Sequence, residues 1–130
     1  VIDYIGIPYV DFGRDANGFD CWGLVMQIYK DKGITLKDYA YESPEDVKNN
    51  ESIYKDQYLI GDWRKESEPS EGDIIVFNIA GYPSHVGVII DKYRFIHAHK
   101  SCGVAIEKIN SVRWRNRVHG FYSHRDSVQL

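Results

Sequence analysis

The chain has 130 residues, 43% hydrophobic and 14% aromatic, enough to bury roughly two-thirds of its unfolded surface around one core. Its 16 Lys and Arg against 19 Asp and Glu leave a formal net charge of −3, which argues against a nucleic-acid partner. No apolar run is long enough to span a membrane, and no basic region followed by an apolar block opens the chain, so neither membrane insertion nor a signal peptide is expected.

Residues Val1 to Ile5 read as the end of a helix stopped by Gly6, and Ile7-Pro8-Tyr9-Val10 as extended backbone. The Gly-, Asp- and Asn-rich stretch from Asp11 to Gly18 reads as a loop. A helix follows. Leu24, Val25, Ile28 and Tyr29 recur at helical spacing, Asp20 suits the N-cap, and Lys32-Gly33 marks the end. Residues Ile34 to Tyr41 show no regular pattern. Ser43-Pro44-Glu45-Asp46 has the residues of a helix start, predicting a second helix to about Leu59. Trp63 to Gly72 reads as a polar connector around Pro69.

Strand patterns then take over. Ile74 to Phe77 is a short apolar run; His85 to Ile90 and Tyr93 to His99 predict a hairpin turning at Asp91-Lys92. Val104 to Ile109 and Gly120 to Tyr122 add two more strands. The alternating Arg113, Arg115 and Arg117 read as a solvated strand face. The layout is α+β, with N-terminal helices packed on a curled antiparallel sheet of about five strands.

Two features carry chemistry. The N-cap at Asp20 places Cys21 in the first helical turn, where backbone N–H groups and the helix dipole favour a thiolate. A turn centred at residue 91 makes His85 and His97 direct cross-strand partners, with Gly87 opposite Phe95. Both rings then leave one face, while Val86, Val88, Ile90, Ile96 and Ala98 point into the core on the other. Two imidazoles facing a helix that starts with a cysteine suit a thiol peptidase. His85 takes the thiol proton and returns it to the leaving amine, and His97 orients the His85 ring. A zinc site from His85, His97 and His99 is the rival reading of the same residues, since three imidazoles are an accepted ligand set. Cys102 reads as a buried or incidental thiol, His119 and His124 as exposed, and Trp63 and Trp114 as core.

Four blocks also carry a resemblance: Asp20-Cys21-Trp22-Gly23-Leu24-Val25, Gly72-Asp73-Ile74-Ile75-Val76-Phe77, His85-Val86-Gly87-Val88 and Phe95-Ile96-His97-Ala98. In this order and spacing they resemble the signature of the NlpC-type cysteine peptidases, papain-like enzymes that cut peptide bonds in bacterial peptidoglycan. The resemblance runs from about Ile5 to Tyr122 and implies one NlpC-type peptidase domain over residues 1–130. It implies Cys21 as nucleophile, His85 as base and His97 as third member, with Tyr9, Asp20 and Trp22 lining the substrate site and no metal or other cofactor. It weighs against the zinc reading. Many members carry Ser directly after the cysteine, so Trp22 here implies an altered subsite.

Gly6-Ile7-Pro8-Tyr9-Val10, Gly13-Arg14-Asp15, Trp22, Leu36-Lys37-Asp38-Tyr39 and Gly120-Phe121-Tyr122 further resemble the phage tail-associated branch. That implies a virion tail protein acting in the host cell wall or periplasm, or a prophage-encoded bacterial protein. Its partners would be peptidoglycan and other phage tail proteins. The alternative is a structural tail-tip or baseplate component whose hydrolase site is silent or covered.

Overall fold

Residues 2–38, 61–126 and 128–130 are described by a computed structural model. A short 3₁₀ turn, Ile2–Tyr4, stands where a helix end was expected, and Gly6 follows it at φ 92°. The expected loop contains a small hairpin, β1 (Arg14–Asp15) and β2 (Gly18–Phe19). Helix α1 spans Cys21–Asp31. Among the described residues it is the only α-helix. The second predicted helix, Ser43 to Leu59, lies outside them.

Six strands, rather than five, form the main sheet: β3 (Trp63–Glu66), β4 (Ile74–Ile79), β5 (Tyr82–Ile89), β6 (Arg94–His99), β7 (Gly103–Lys108) and β8 (Val118–His124). Their order is β3-β8-β4-β5-β6-β7, and every pairing is antiparallel. The architecture is α+β. Strand β3 lies inside the stretch expected to be a connector. Among the described residues it is an edge strand, Trp63-Arg64-Lys65-Glu66, that pairs only with β8, and edge strands carry charge without losing their ladder. Strand β5 begins earlier than expected. Ala80 and Gly81, at φ 53° and 86°, make a two-residue turn, and a bulge at Phe77/Asn78 accommodates Pro83. The three arginines lie in and beside the turn before β8, exposed but not on a strand.

The core is built on both faces of this sheet. Leu24, Val25, Ile28 and Tyr29 of α1 join Ile74, Val76, Val86, Val88, Ile96, Ala98, Val104 and Tyr122 in one apolar cluster. The alternate residues Ile75, Phe77, Ile89 and Phe95 join Trp114 in a second. Strand periodicity makes this division, since successive side chains leave opposite faces. No helix among the described residues is long and apolar enough to cross a membrane.

The β5–β6 register differs from the expected one. Val88 faces Ile96 and Ile89 faces Phe95, so the hairpin is centred on Lys92. Asp91 moves the centre: its carboxylate accepts from the backbone N–H groups of Tyr93 and Arg94, both at 2.9 Å, and closes a wider turn. Moving the centre by one residue moves each partner by two. Direct pairing of His85 with His97 is lost, as is that of Gly87 with Phe95, but every side chain keeps its face.

Candidate active site

Cys21 opens α1. The Asp20 backbone is extended (φ −86°, ψ −178°), and its Oδ1 accepts the Gly23 N–H at 2.7 Å, as an N-cap requires. Arg14 Nη1 meets the same oxygen at 2.5 Å, and Arg14 also holds Asp38 at 2.9 Å. The cap carboxylate is thus tied to the loop before the helix. Gly23 makes that approach possible: a Cβ there would stand 2.0 Å from the Gly13 carbonyl oxygen. Neither cysteine is in a disulfide; Cys21 is buried and Cys102, expected to be buried or incidental, is exposed.

His85 and His97 share a face, and their rings meet. His85 Nε2 lies 2.7 Å from His97 Nδ1. Gly87 allows the closeness, because a Cβ at that position would stand 2.9 Å from the Ile96 carbonyl and 3.2 Å from His97 Cβ. The other His97 nitrogen, Nε2, hydrogen-bonds Glu107 Oε2. A carboxylate is acceptor-only, so His97 donates through Nε2 and offers the Nδ1 lone pair to an N–H on His85 Nε2. His85 Nδ1 is then the ring atom left to accept a proton. One acid therefore orders two rings in sequence.

Trp114 closes over the pair. It stacks on His85 (5.3 Å between centroids, 20° between planes) and meets His97 edge-on at 5.1 Å. Phe77 and Phe95 complete the enclosure at 5.8 Å from His85 and 4.7 Å from His97. Burial holds His85 well below the usual imidazole range, with the charges of His97, His99 and Arg113 acting in the same direction. Burial also lowers His97, to about 4, against the opposing pull of Glu107. Both shifts favour the neutral ring, the form in which a base holds an available lone pair.

The rings stand on the face opposite the apolar stripe of α1, which packs against β5 and β6 through Val86, Val88, Ile96 and Ala98. The expectation that the imidazoles face the helix is corrected in that respect: the stripe of α1 does not lie over them.

Tyr9 is half-buried and bridges to Phe19 just before the N-cap. Its phenol is pushed up by burial first, then by the negative charges of Cys21, Asp11 and Asp20. Trp22, expected to line the substrate site, turns into the core. It is fully buried, and its indole N–H donates to the Lys37 carbonyl at 2.9 Å. On this helix face the core takes the large ring. Asp20 is 1% exposed, and its Oδ1 serves both as the helix cap and as the partner of Arg14. His99 Nδ1 is engaged by Ser101 and Arg113 at 2.8 and 3.1 Å. His124 is buried against Trp63 and Tyr29, not exposed, and His119 is half-buried. Trp114 is core, as expected; Trp63 packs on its margin.

Sequence reasoning missed Glu107. Its signal was present: an acid inside a predicted strand, at the alternation opposite Val104 and Ile106. Its β6 partner is Phe95, which puts it on the imidazole face.

The NlpC/P60 family model matches residues 6–123, so the chain belongs to the NlpC/P60 family. Among its relatives is the murein DD-endopeptidase MepS/murein LD-carboxypeptidase of Escherichia coli K12. It is 28% identical over 116 residues, covering 88% of this chain and 54% of that protein. The tail tip assembly protein K of Escherichia phage N15 is 30% identical over 83 residues, covering 61% of this chain and 34% of that one. The crystal structure of a Staphylococcus aureus Mu50 protein, similar to lipoprotein and of the NLP/P60 family, superposes with a TM-score of 0.65 at 27% identity. It covers 93% of this chain and 37% of that one. The chain thus spans about half the length of its murein endopeptidase relative.

Proposed function

We propose that residues 1–130 form a single cysteine peptidase domain that cleaves peptide bonds in peptidoglycan stems or cross-bridges. The hydrogen-bonded series His85–His97–Glu107 carries this reading, with a capped helix starting at Cys21 in a chain of the NlpC/P60 family. His85 Nδ1 takes the Cys21 thiol proton, and the sulfur attacks the scissile carbonyl carbon. The tetrahedral adduct collapses to a thioester as His85 gives the proton to the leaving amine. Water, deprotonated by the same ring, then releases the acid and restores the thiol. His97 keeps His85 in the working tautomer and supports the imidazolium, and Glu107 does the same for His97. Tyr9 borders the nucleophile and contributes to the substrate site.

The biological setting we propose is a phage tail, where the domain opens the wall locally during entry. The likeness to a tail tip assembly protein supports it.

Digestion of purified peptidoglycan, with mass spectrometry of the products, tests the activity. The expected result is new amino termini in wild type and none in Cys21→Ala. A folded, reduced wild-type protein that releases no product would overturn it. Mass spectrometry of purified virions tests the setting; absence of the chain from tails would exclude it.

A further inference from the structure

A ring nitrogen of His97, a carboxylate oxygen of Glu107 and Sγ of Cys102 all lie within 4.8 Å of one another. Nitrogen, oxygen and sulfur donors in a group of three are what a four-coordinate zinc ion takes, with water in the fourth position. The three are brought together by tertiary structure: His97 from β6, Glu107 from β7, and Cys102 from the turn between them. Cys102 is exposed and borders an open cavity of about 610 Å³, shared with Tyr9, Asp11 and Lys100, so the thiol of the group is accessible from solvent. Cys102 has no part in the peptidase chemistry proposed above.

We propose that His97, Glu107 and Cys102 form a zinc site that switches the peptidase off from behind its base. Zinc takes the Nε2 lone pair on the Glu107 side, and the carboxylate turns from hydrogen-bond acceptor to metal ligand. The Cys102 thiol proton goes to solvent. The proton that His97 carried on Nε2 moves to Nδ1, so His97 now donates to His85 Nε2 instead of accepting from it. His85 must then carry its own proton on Nδ1, the atom that has to accept the thiol proton. Each ring keeps one proton, and the tautomer of both is inverted. Cys21 is untouched. This inhibitory consequence rests on the peptidase reading; the metal site itself does not.

Two measurements test it. In a Cys21→Ser background, where Cys102 is the sole thiol, Zn²⁺ should bind one equivalent in competition with a chromogenic chelator. Co²⁺ should give a thiolate-to-metal charge-transfer band. Cys102→Ser in that background should abolish the band and cost more affinity than the roughly 10–100-fold typical of losing an outer-shell partner. In otherwise wild-type protein, Cys102→Ser should digest peptidoglycan at the normal rate and resist Zn²⁺. Equal metal binding with and without Cys102 would overturn the site. Unchanged inhibition in Cys102→Ser would overturn the switch and place the inhibitory metal elsewhere. A Cys102-dependent cobalt band in a protein that never cuts peptidoglycan would uphold the site and end the peptidase reading instead.

Discussion

On the helix side of the main sheet, Val76, Val86, Val88, Ile96 and Ala98 meet Leu24, Val25 and Ile28, an interface of hydrocarbon alone. On the other side Phe77, Phe95 and Trp114 enclose two imidazoles and, at their edge, a glutamate. Both faces are buried, and burial means different things on each. Apolar packing is judged by volume, and many side-chain combinations fill the same space. Buried imidazoles must satisfy each other's hydrogen bonds or cost the fold their desolvation. The second face is therefore specified by direction, atom by atom.

The largest expected effect comes from removing the proposed nucleophile or the proposed base. Cys21→Ala and His85→Ala should lower peptidoglycan cleavage to background, with far-UV circular dichroism unchanged. His97 comes next. His97→Ala should reduce kcat/KM by up to about 10⁴-fold, the upper range for loss of an orienting partner. His97→Asn retains a carbonyl acceptor for His85 Nε2 and should keep part of the rate. Undiminished kcat/KM in His97→Ala would show that the 2.7 Å contact is packing and no more.

Glu107 acts one ring further away. Glu107→Ala should cost about 10–100-fold, the range for a supporting partner, and Glu107→Gln less, because its amide oxygen still accepts from Nε2. A Glu107→Ala protein as active as wild type would cut the series at His97.

The helix face gives the converse result. Leu24→Ala should destabilise the fold by about 2–5 kcal/mol in urea titration while kcat/KM per folded molecule stays the same. A fall in kcat/KM without loss of stability would mean that the two faces are coupled.

Acid sharpens the comparison with the smallest effect. His85, His97 and His99 are all lowered by burial, so the unfolded chain binds their protons first as pH falls. Their contribution is intact above about pH 6.5 and should be lost as pH falls toward about 4, where His97 titrates in the folded state. Asp73 runs the other way. Burial raises it to about 6, so it favours the fold below its unfolded value near 3.8 and withdraws that support as pH rises through 6. Thermal midpoints across pH 4 to 7 should rise more steeply in Asp73→Asn than in wild type. An equal or shallower slope would remove Asp73 from the balance.

How much of this was legible depended on the range of each interaction. Asp20 caps its own helix through a bond to Gly23, three residues away, so the start at Cys21 could be read from local chemistry. The alternation in β5 and β6 is also local, and it assigned His85 and His97 to one face even though the turn was placed one residue early. Periodicity is insensitive to a two-residue shift of partners, and the carboxylate of Asp91 that produced the shift leaves no periodic trace. Trp22 could have faced either way on α1 until the chain around Lys37 offered a carbonyl to its indole. Trp114 reaches His85 and Glu107 reaches His97 only because the sheet order brings their segments together. The sequence by itself determined the helix start at Cys21 and the shared face of the two imidazoles, since both follow from neighbours a few residues apart. Tertiary structure decided the acid that orders the rings, the tryptophan that covers them and the thiol beside them, because those contacts close loops whose ends no local pattern connects.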